Sequence, residues 1–231
     1  NGGIYDHIGG GFHRYSTDRE WLVPHFEKML YDNALVPLVY LQAYLKTKKE
    51  NYLNVALDTV EFVMTQLTSE DGLFYSSMDA DSEGQEGIYY TWTTEEIVGI
   101  LGREEGNRIG TLTGMTRGGN FEGKNILHNV DGTEEFPFLG CVTNQSGYEY
   151  PEFRLQLLSH RNERPCPERD EKVIVSWNAL MSVTLIECYL VTRIKLYRDK
   201  AIQNIKTILK LKREFGFLFR SYRGGKCSGR G

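Results

Sequence analysis

A repeat within the sequence limits the fold of this chain more than any other feature. Asn33-Ala34-Leu35 recurs as Asn178-Ala179-Leu180, 145 residues later. The further matches, at that offset or one residue less, are Tyr52 with Tyr197, Ala56 with Ala201, and Glu70-x-Gly72 with Glu214-x-Gly216. The segments 33–77 and 178–221 therefore share one unit of two helices, an acidic-x-Gly step and an aromatic strand. Such a unit buries its apolar face by stacking on a neighbour. The repeat predicts an all-α fold of the α/α-toroid type, with short β-hairpins and polar loops collected at one end.

The helices of the first unit are predicted from apolar residues that recur three and four positions apart. One helix is expected from Pro24 to Thr47, with His25, Lys28 and Asp32 on a polar face near its start. Pro37 lies inside this helix and removes one internal hydrogen bond. The second helix is expected from Asn51 to Thr68.

The segment after this unit is predicted to form a β-hairpin and then a capped helix. Strands are expected over 73–76 and 87–92, with acidic residues on the turn between them. Thr93 or Thr94, followed by two glutamates, has the pattern of a helix start, and that helix is expected to run to about Leu101. The later helices are predicted over 152–161, about 176–193 and about 198–212, whereas 131–150 shows no clear periodicity.

Composition excludes several classes of partner. The chain has 231 residues, of which 40% are hydrophobic and 25% charged, so it can bury a sizeable core. Its net charge of -4 and its interleaved charges argue against nucleic-acid binding. No apolar run approaches the roughly 20 residues of a membrane-spanning helix, and no leader pattern is present. We therefore expect a soluble, cytoplasmic protein with no membrane partner.

The cysteines and glycines do not form a cofactor motif. The four cysteines are widely spaced and have no Cys-x-x-Cys pattern, which argues against a zinc site and favours free thiols in a reducing compartment. These cysteines are Cys141, Cys166, Cys188 and Cys227. Gly9-Gly10-Gly11 lacks the spacing, the preceding strand and the following helix of a dinucleotide fingerprint. We expect neither a metal nor a cofactor.

The stretch from Gly2 to Leu35 is the first candidate for a functional site. It contains three of the five histidines, several glycines and a dense set of charged groups. The polar candidates within it are His7, His13, Arg14, His25, Lys28, Tyr31 and Asp32. Each histidine by itself could simply hydrogen-bond a loop backbone. Their density in one span together with charged neighbours is what points to a site.

Two further groups of residues are candidates. Asp79, Asp81, Glu83 and Glu86 lie close together in sequence, and a pair of carboxylates could serve a glycosidase. A solvated acidic turn is the explanation that the usual exposure of such residues favours. A calcium loop is excluded because Tyr90 stands where the bidentate glutamate is required. Trp177 and Asn178 begin the helix of the second unit. Trp177 could stack on a sugar ring or belong to the core, and Asn178 matches Asn33 in the repeat, which favours a structural role.

The longer motifs resemble one protein family. The matching strings are GGIYDHIGGGFHRYSTDREWLVPHFEKMLYDNAL, FYSSMDADSEGQEGIYYTW, GNFEGKNIL and DEKVIVSWNALM. They are similar to spermatogenesis-associated protein 20 and its bacterial relatives, over most of the chain from Gly2 to about Arg223. The resemblance implies an α/α toroid like that of N-acylglucosamine 2-epimerases and six-hairpin glycosidases, of which this chain would hold an incomplete ring. The thioredoxin-like domain of the family is absent from the sequence.

The resemblance leaves more than one function open. Sugar epimerases and isomerases of this fold use histidines to move a proton beside a carbonyl, a task that suits imidazole. Under this hypothesis His25 or His13 is the acid or base, Asp32 and Arg14 orient, and Asp79 or Asp81 assists. The substrate, a small sugar, would contact His7, Lys28, Tyr31, Glu86, Trp177 and Asn178. The alternatives are a non-catalytic toroid that binds a protein or ligand for an attached thioredoxin-like domain, and a glycoside hydrolase.

Overall fold

The computed structural model describes residues 2–130 and 150–230, and this part of the chain is mainly helical. Its seven helices are α1 (Leu30–Thr47), α2 (Glu50–Gln66), α3 (Thr94–Leu101), α4 (Arg103–Leu112), α5 (Glu152–Arg161), α6 (Val175–Thr192) and α7 (Lys195–Phe215). Its short strands are β1 (Tyr15–Ser16), β2 (Pro24–His25), β3 (Lys28–Met29), β4 (Ser77–Met78), β5 (Asp81–Ser82), β6 (Gln85–Glu86), β7 (Arg169–Asp170), β8 (Val173–Ile174), β9 (Phe219–Arg223) and β10 (Lys226–Arg230). Cys141, and the prediction for 131–149, lie outside the described residues.

Two helix pairs form the main core. Helix α1 packs on α2, α6 packs on α7, and α1 and α6 pack on each other. The Thr184 hydroxyl on α6 donates a hydrogen bond of 2.7 Å to the carbonyl of Ala34 on α1. The buried side chains between the pairs are Leu30, Ala34, Leu41, Leu57, Val60, Val63, Met181, Leu185 and Cys188. Each fully buried leucine or valine contributes roughly 1.5–3 kcal/mol, so this interface stabilises the whole arrangement.

The two pairs have matching details. Both α1 and α6 have 18 residues. Each ends at a residue in the left-handed region, Lys48 with φ 61° and Arg193 with φ 64°. The backbone N–H of each donates to the carbonyl four residues earlier, which satisfies an otherwise unpaired helix carbonyl. Asn33 and Asn178 also correspond, since each hydrogen-bonds both backbone groups of one loop residue, Phe12 and Phe74 respectively.

Helix α1 begins at Leu30, so the predicted start at Pro24 is wrong. The residues before it form β2, which pairs with β1, and β3, which pairs with β4. The N–H of Leu30 donates to the carbonyl of Ser76 at 2.9 Å and so receives its cap from the sheet. Tertiary pairing has overridden the helical spacing of the apolar residues. The polar residues of this segment consequently lie on strands and do not share one helix face.

The predicted hairpin over 73–76 and 87–92 is also displaced. The strands are β4 at Ser77–Met78 and the tight hairpin β5–β6, whose turn contains Glu83 and Gly84, both with positive φ. Residues 87–91 form a turn in which the N–H of Tyr90 donates to the carbonyl of Gly87. Position 87 requires glycine for two reasons: its φ is 75°, and a Cβ there would lie 2.5 Å from the Phe26 ring. The acidic residues do lie on a hairpin, but it is shorter than expected.

The segment between the helix pairs forms a second layer. Thr93 and Glu96 make a reciprocal capping box at the start of α3, as the sequence predicts. Helix α5 has the predicted bounds and packs against α3, around the buried Trp92. Two of its arginines, Arg154 and Arg161, point away from solvent and are 1% and 4% exposed. Their partners lie on the N-terminal loop and on α2.

Helix α6 is, within the described residues, the one helix long and apolar enough to cross a membrane by length and composition. Its 18 residues have a mean hydropathy of 1.2. It packs against both α1 and α7, and core helices of globular proteins commonly have such a composition.

Candidate functional site

The N-terminal loop brings a buried ionic network into the protein. Asp6 is 7% exposed and accepts hydrogen bonds from Lys28 at 2.7 Å and from Arg161 at 2.9 and 3.0 Å. Lys28 also donates to the carbonyl of Gly10 at 2.7 Å. Gly9 has no room for a side chain, since a Cβ there would lie 1.8 Å from Arg161. The glycine run therefore lets the loop close tightly over the arginine, which is a structural role.

A second carboxylate extends this network onto α2. Asp58 accepts two hydrogen bonds from Arg154, at 2.8 and 3.0 Å, and others from Tyr150, at 2.8 Å, and Tyr5. Arg154 also donates from Nε to the carbonyl of Ile8 at 2.8 Å. Burial of such charges is tolerated only when they are paired and hydrogen-bonded. We call Asp6, Lys28, Asp58, Arg154 and Arg161 the buried network.

His7 and His13 lie beside the buried network and are each 3% exposed. Burial, with a smaller contribution from neighbouring positive charges such as Lys28 beside His13, lowers the pKa of each histidine to about 3. His13 Nδ1 is 2.7 Å from the carbonyl of Phe26, so it is the protonated nitrogen of a neutral ring. Burial likewise lowers the pKa of Lys28 to about 8, although Asp6 opposes this shift. These candidates are placed inside the protein, where they connect the loop to the strands.

A second group of polar residues lies at the surface, around His25. His25 Nδ1 is 2.7 Å from Glu86 Oε1, and its Nε2 is 3.7 Å from Glu27 Oε2. The β1–β2 pairing puts Tyr15 opposite His25, with ring centres 5.1 Å apart. A histidine held between two carboxylates can accept a proton and pass it on. The hydrogen bond to Glu86 fixes the orientation of the His25 ring, and the ring keeps contact with solvent.

Arg14 connects this histidine to the start of α1. Its guanidinium donates to Glu27 at 3.0 Å and to the Tyr31 hydroxyl at 3.3 Å. The Tyr31 ring meets the Trp177 ring edge-to-face, with centres 4.9 Å apart. Since Tyr31 opens α1 and Trp177 opens α6, the contact between these parallel helices brings the two aromatic residues together.

Asp32, in the first turn of α1, is a further titratable residue near Arg14 and Glu27. It is half-buried, and its Oδ2 has no hydrogen-bond partner among the described residues. Burial raises the pKa of Asp32 to about 6, with a further rise from Glu27, while Arg14 and a hydrogen bond from Tyr31 lower it. A carboxyl with this pKa can both donate and accept a proton near neutral pH. We call Arg14, His25, Glu27, Asp32 and Glu86 the surface cluster.

The surface cluster lies between two clefts. One, of about 400 Å³, is lined by Pro24, Glu86, Phe121 and Lys124 among others. The other, of about 310 Å³, is lined by Glu27, Asp79, Glu168, Arg169, Asp170 and Arg223 among others. His25 contacts Glu86 of the first cleft and Glu27 of the second, although its own side chain is not among the residues that line either cleft.

The remaining candidates, Asp79, Asp81 and Asn178, lie in different parts of the structure. Asp79 is exposed in the second cleft, where its Oδ1 accepts from the N–H of Ala80 at 2.7 Å. Asp81 is exposed and stands opposite Glu86 in the β5–β6 hairpin. Asn178 is fully buried, and its amide is occupied by the backbone of Phe74 and Ile174 and by Asn204.

Sequence reasoning missed Glu27, which joins His25, Arg14 and the second cleft. On a helix, Glu27 would have faced away from His25. In the extended chain that is present, residues two apart lie on the same side. The proximity of Glu27 to His25 could therefore be predicted only from a strand assignment for this segment. Asp170 and Arg169 were also missed, because β7 reaches the site only by pairing with β4.

The described part of the chain is thus mainly helical, with two matching helix pairs and a cluster of titratable side chains near the start of α1. It is 38% identical over 229 residues to spermatogenesis-associated protein 20 of Homo sapiens, a match covering 87% of this chain and 28% of that protein. It is 37% identical over 207 residues to the Mus musculus protein, with 78% and 26% covered. An uncharacterised Caenorhabditis elegans protein is 32% identical over 257 residues, with 96% and 34% covered. No family model matches the chain.

These matches confirm the sequence resemblance to the family of spermatogenesis-associated protein 20. The chain spans about a quarter to a third of the length of these curated relatives. The names of the relatives state no activity.

Two solved structures of sugar enzymes are similar at a lower level. One is a D-mannose isomerase, with TM-score 0.32 and 15% identity, covering 95% of this chain and 52% of the isomerase. The other is a cellobiose 2-epimerase from Bacillus thermoamylovorans, with TM-score 0.30 and 11% identity, covering 98% and 72%. Both scores are below 0.5, so the arrangement of helix pairs described above rests on this chain's own contacts.

Proposed function

We propose that the chain is part of an α/α toroid, as an incomplete ring, and that the surface cluster is a carbohydrate-directed active site of the epimerase or isomerase type. The observation that carries this proposal is the geometry around His25, held between Glu27 and Glu86 and flanked by two clefts. Asp32, with a pKa of about 6, joins this group through Arg14 and Glu27, whose charges act on its carboxyl. Moving a proton at the carbon beside a carbonyl requires one group that accepts a proton and a second group that donates one.

The roles within the cluster follow from charge and position. His25 serves as the base, because its ring keeps contact with solvent and is held in place by Glu86 and Glu27. Asp32, protonated in part near neutral pH, serves as the acid. Arg14 orients Glu27 and Tyr31 and attracts the oxygen that becomes negative. Tyr31 and Trp177 provide an aromatic wall on which the apolar face of a sugar ring packs.

The buried candidates are a weaker basis for catalysis. His13 and His7 are neutral and enclosed, and Lys28 is fully buried with two hydrogen-bond acceptors. These three side chains are enclosed in the interior, whereas the His25 ring keeps contact with solvent and is held by Glu86 and Glu27. We therefore prefer His25 to His13 as the catalytic histidine, with Asp79 in a supporting position in the second cleft.

The experiment is a thermal-shift screen of the protein against mono- and disaccharides, followed by an exchange assay. A sugar that binds the folded state raises the melting temperature, and proton transfer in deuterated water places deuterium on the carbon beside the carbonyl. His25→Ala and Asp32→Asn should lower the exchange rate by about 10²–10⁴-fold. Glu105→Gln, on the exposed face of α4, is the matched control and should leave it unchanged. Exchange that survives both substitutions would overturn the assignment.

The glycosidase alternative rests on Asp79, Asp81 and Glu86, all exposed around the β5–β6 hairpin. Hydrolysis needs a protonated carboxyl as well as an ionised one, and the raised pKa lies at Asp32 outside this hairpin. Release of reducing ends from a disaccharide in the same screen would favour hydrolysis over isomerisation. If no sugar shifts the melting temperature of the folded protein, the preferred function becomes a non-catalytic toroid that binds a protein or a ligand for an attached thioredoxin-like domain.

A further inference from the structure

The buried network borders a cavity that the proposed function does not use. The cavity has a volume of about 190 Å³ and is lined by Lys28, Arg154, Arg161, Tyr89, Tyr90 and Asn162 among others. None of its lining residues lines either cleft beside His25. Three cationic side chains, each at most 4% exposed, thus line one cavity, whose rim includes the exposed Thr65 and Gln66. We call this space the cation cavity.

Two of these cationic side chains, those of Lys28 and Arg161, have N–H donors without an acceptor among the described residues. An ammonium group has three N–H donors, and within the described residues Lys28 uses two, toward Asp6 and Gly10. Its nitrogen is 4.3 Å from the ring centre of Phe62 and 5.1 Å from that of Tyr90, both of which line the cavity. The Nε of Arg161 is buried and has no acceptor in the described part of the chain. Buried donors of this kind are normally satisfied by a bound partner or by water.

The charges around the cavity favour an anion as that partner. Asp6 and Asp58 lie behind the lining and are occupied by their own hydrogen bonds, so the lining itself presents three positive charges against one negative charge. The surplus of positive charge is a property of the lining, because Asp6, Asp58 and Glu61 together balance the three cations. Glu61 is the one carboxylate among the described lining residues, and it is half-exposed. The buried rings of Tyr89 and Tyr90 make part of the wall apolar, which strengthens the attraction between a buried cation and an anion.

We propose that the cation cavity binds a small oxyanion, the phosphate or carboxylate group of a small ligand, through Lys28 and Arg161. The guanidinium offers the planar donor geometry that suits such groups, and the ammonium adds a compact charge. A cavity of about 190 Å³ accommodates one such group with little room for a large substituent. This site is separate from the surface cluster and does not depend on the carbohydrate proposal.

The test uses Thr65, which lines the cavity from the exposed side of α2 and can be changed without opening the buried network. Thr65→Glu places a negative charge at the cavity, and Thr65→Gln is the neutral control of the same size. Binding of inorganic phosphate and of acetate is measured by calorimetry and thermal shift, with sodium chloride at the same ionic strength as reference. We expect saturable binding of at least one oxyanion to the wild type and to Thr65→Gln, weakened about tenfold or more in Thr65→Glu.

Each outcome decides the proposal. Preference for phosphate identifies a phosphorylated ligand, and preference for acetate identifies a carboxylate, and both support the site. Equal effects of phosphate, acetate and chloride, or equal binding by Thr65→Glu and Thr65→Gln, would show that the cavity holds only water and would overturn it. A failed sugar screen would leave this result unaffected, so the two proposals fail separately.

Discussion

One 35-residue stretch of sequence contributes residues to two groups of charged side chains that have opposite surroundings. The buried network places Asp6 and Lys28 in the interior, each ion-paired and at most 7% exposed. The surface cluster leaves His25 and Asp32 in contact with solvent and keeps one Asp32 oxygen without a hydrogen bond among the described residues. Buried charged groups that are ion-paired usually stabilise the fold, whereas titratable groups that keep contact with solvent are available for binding or chemistry.

This difference separates stability from function within one segment. The buried network ties the N-terminal loop to α2 and α5, so changes there should act on folding. The surface cluster lies around the short strands and on the first turn of α1. Substitutions there should change ligand binding or catalysis with little loss of stability. The predictions below test this division, beginning with the largest expected effect.

Mild acid should destabilise the protein strongly through His7 and His13. Their pKa is about 3 when folded and 6.5 in the reference state, so the unfolded chain binds more protons between these values. Stability is therefore fully present above pH 6.5 and falls as the pH decreases, by about 1.4 kcal/mol per pH unit for each histidine. Urea unfolding at pH 7, 6 and 5 measures this slope. His13→Gln should roughly halve it, and a free energy of unfolding that is constant from pH 7 to pH 5 would contradict the neutral, buried assignment.

Asp6→Asn should destabilise the protein by about 3–5 kcal/mol at pH 7. Removing one charge of a buried pair leaves the other uncompensated, and here both Lys28 and Arg161 lose their carboxylate. Asp81→Asn, a substitution of the same chemistry at an exposed position, should change stability by less than about 0.5 kcal/mol. Chemical denaturation of the two variants gives the comparison, and similar losses in both would remove the distinction between buried and exposed acids.

Asn178→Ala should cost about 2–3 kcal/mol, and Asn33→Ala somewhat less. Both substitutions leave buried backbone groups of a loop without partners, but Asn178 also accepts a hydrogen bond of 2.8 Å from Asn204. Thermal unfolding of the paired variants checks the order. A ligand found in the sugar screen should bind to folded Asn178→Ala with unchanged affinity, and a large loss of affinity would return Asn178 to the binding site.

The sequence predicted the helical units better than it predicted the site. The bounds of α5, the capping box at Thr93 and the equivalence of α1 with α6 follow from periodicity and local hydrogen bonding, which are readable along the chain. The assignment of 24–29 to a helix failed because its pairing partners, β1 and β4, include a strand almost 50 residues away. Burial also could not be predicted, since His13 and His25 look alike in sequence and only the packing of the glycine loop and α5 distinguishes them.

The most direct test of the division between stability and function is the unfolding free energy of Asp32→Asn. Folding raises the pKa of Asp32 from 3.8 to about 6, so the folded state binds more protons between these values and stability falls as the pH rises from 4 to 6. Above pH 6 the ionised carboxyl should cost about 1 kcal/mol after allowance for its contact with solvent. Urea unfolding should therefore find Asp32→Asn more stable than the wild type by about this amount at pH 8, and equally stable at pH 4. A variant that is less stable than the wild type at pH 8 would show that Asp32 is a structural residue and would contradict its place in the active site.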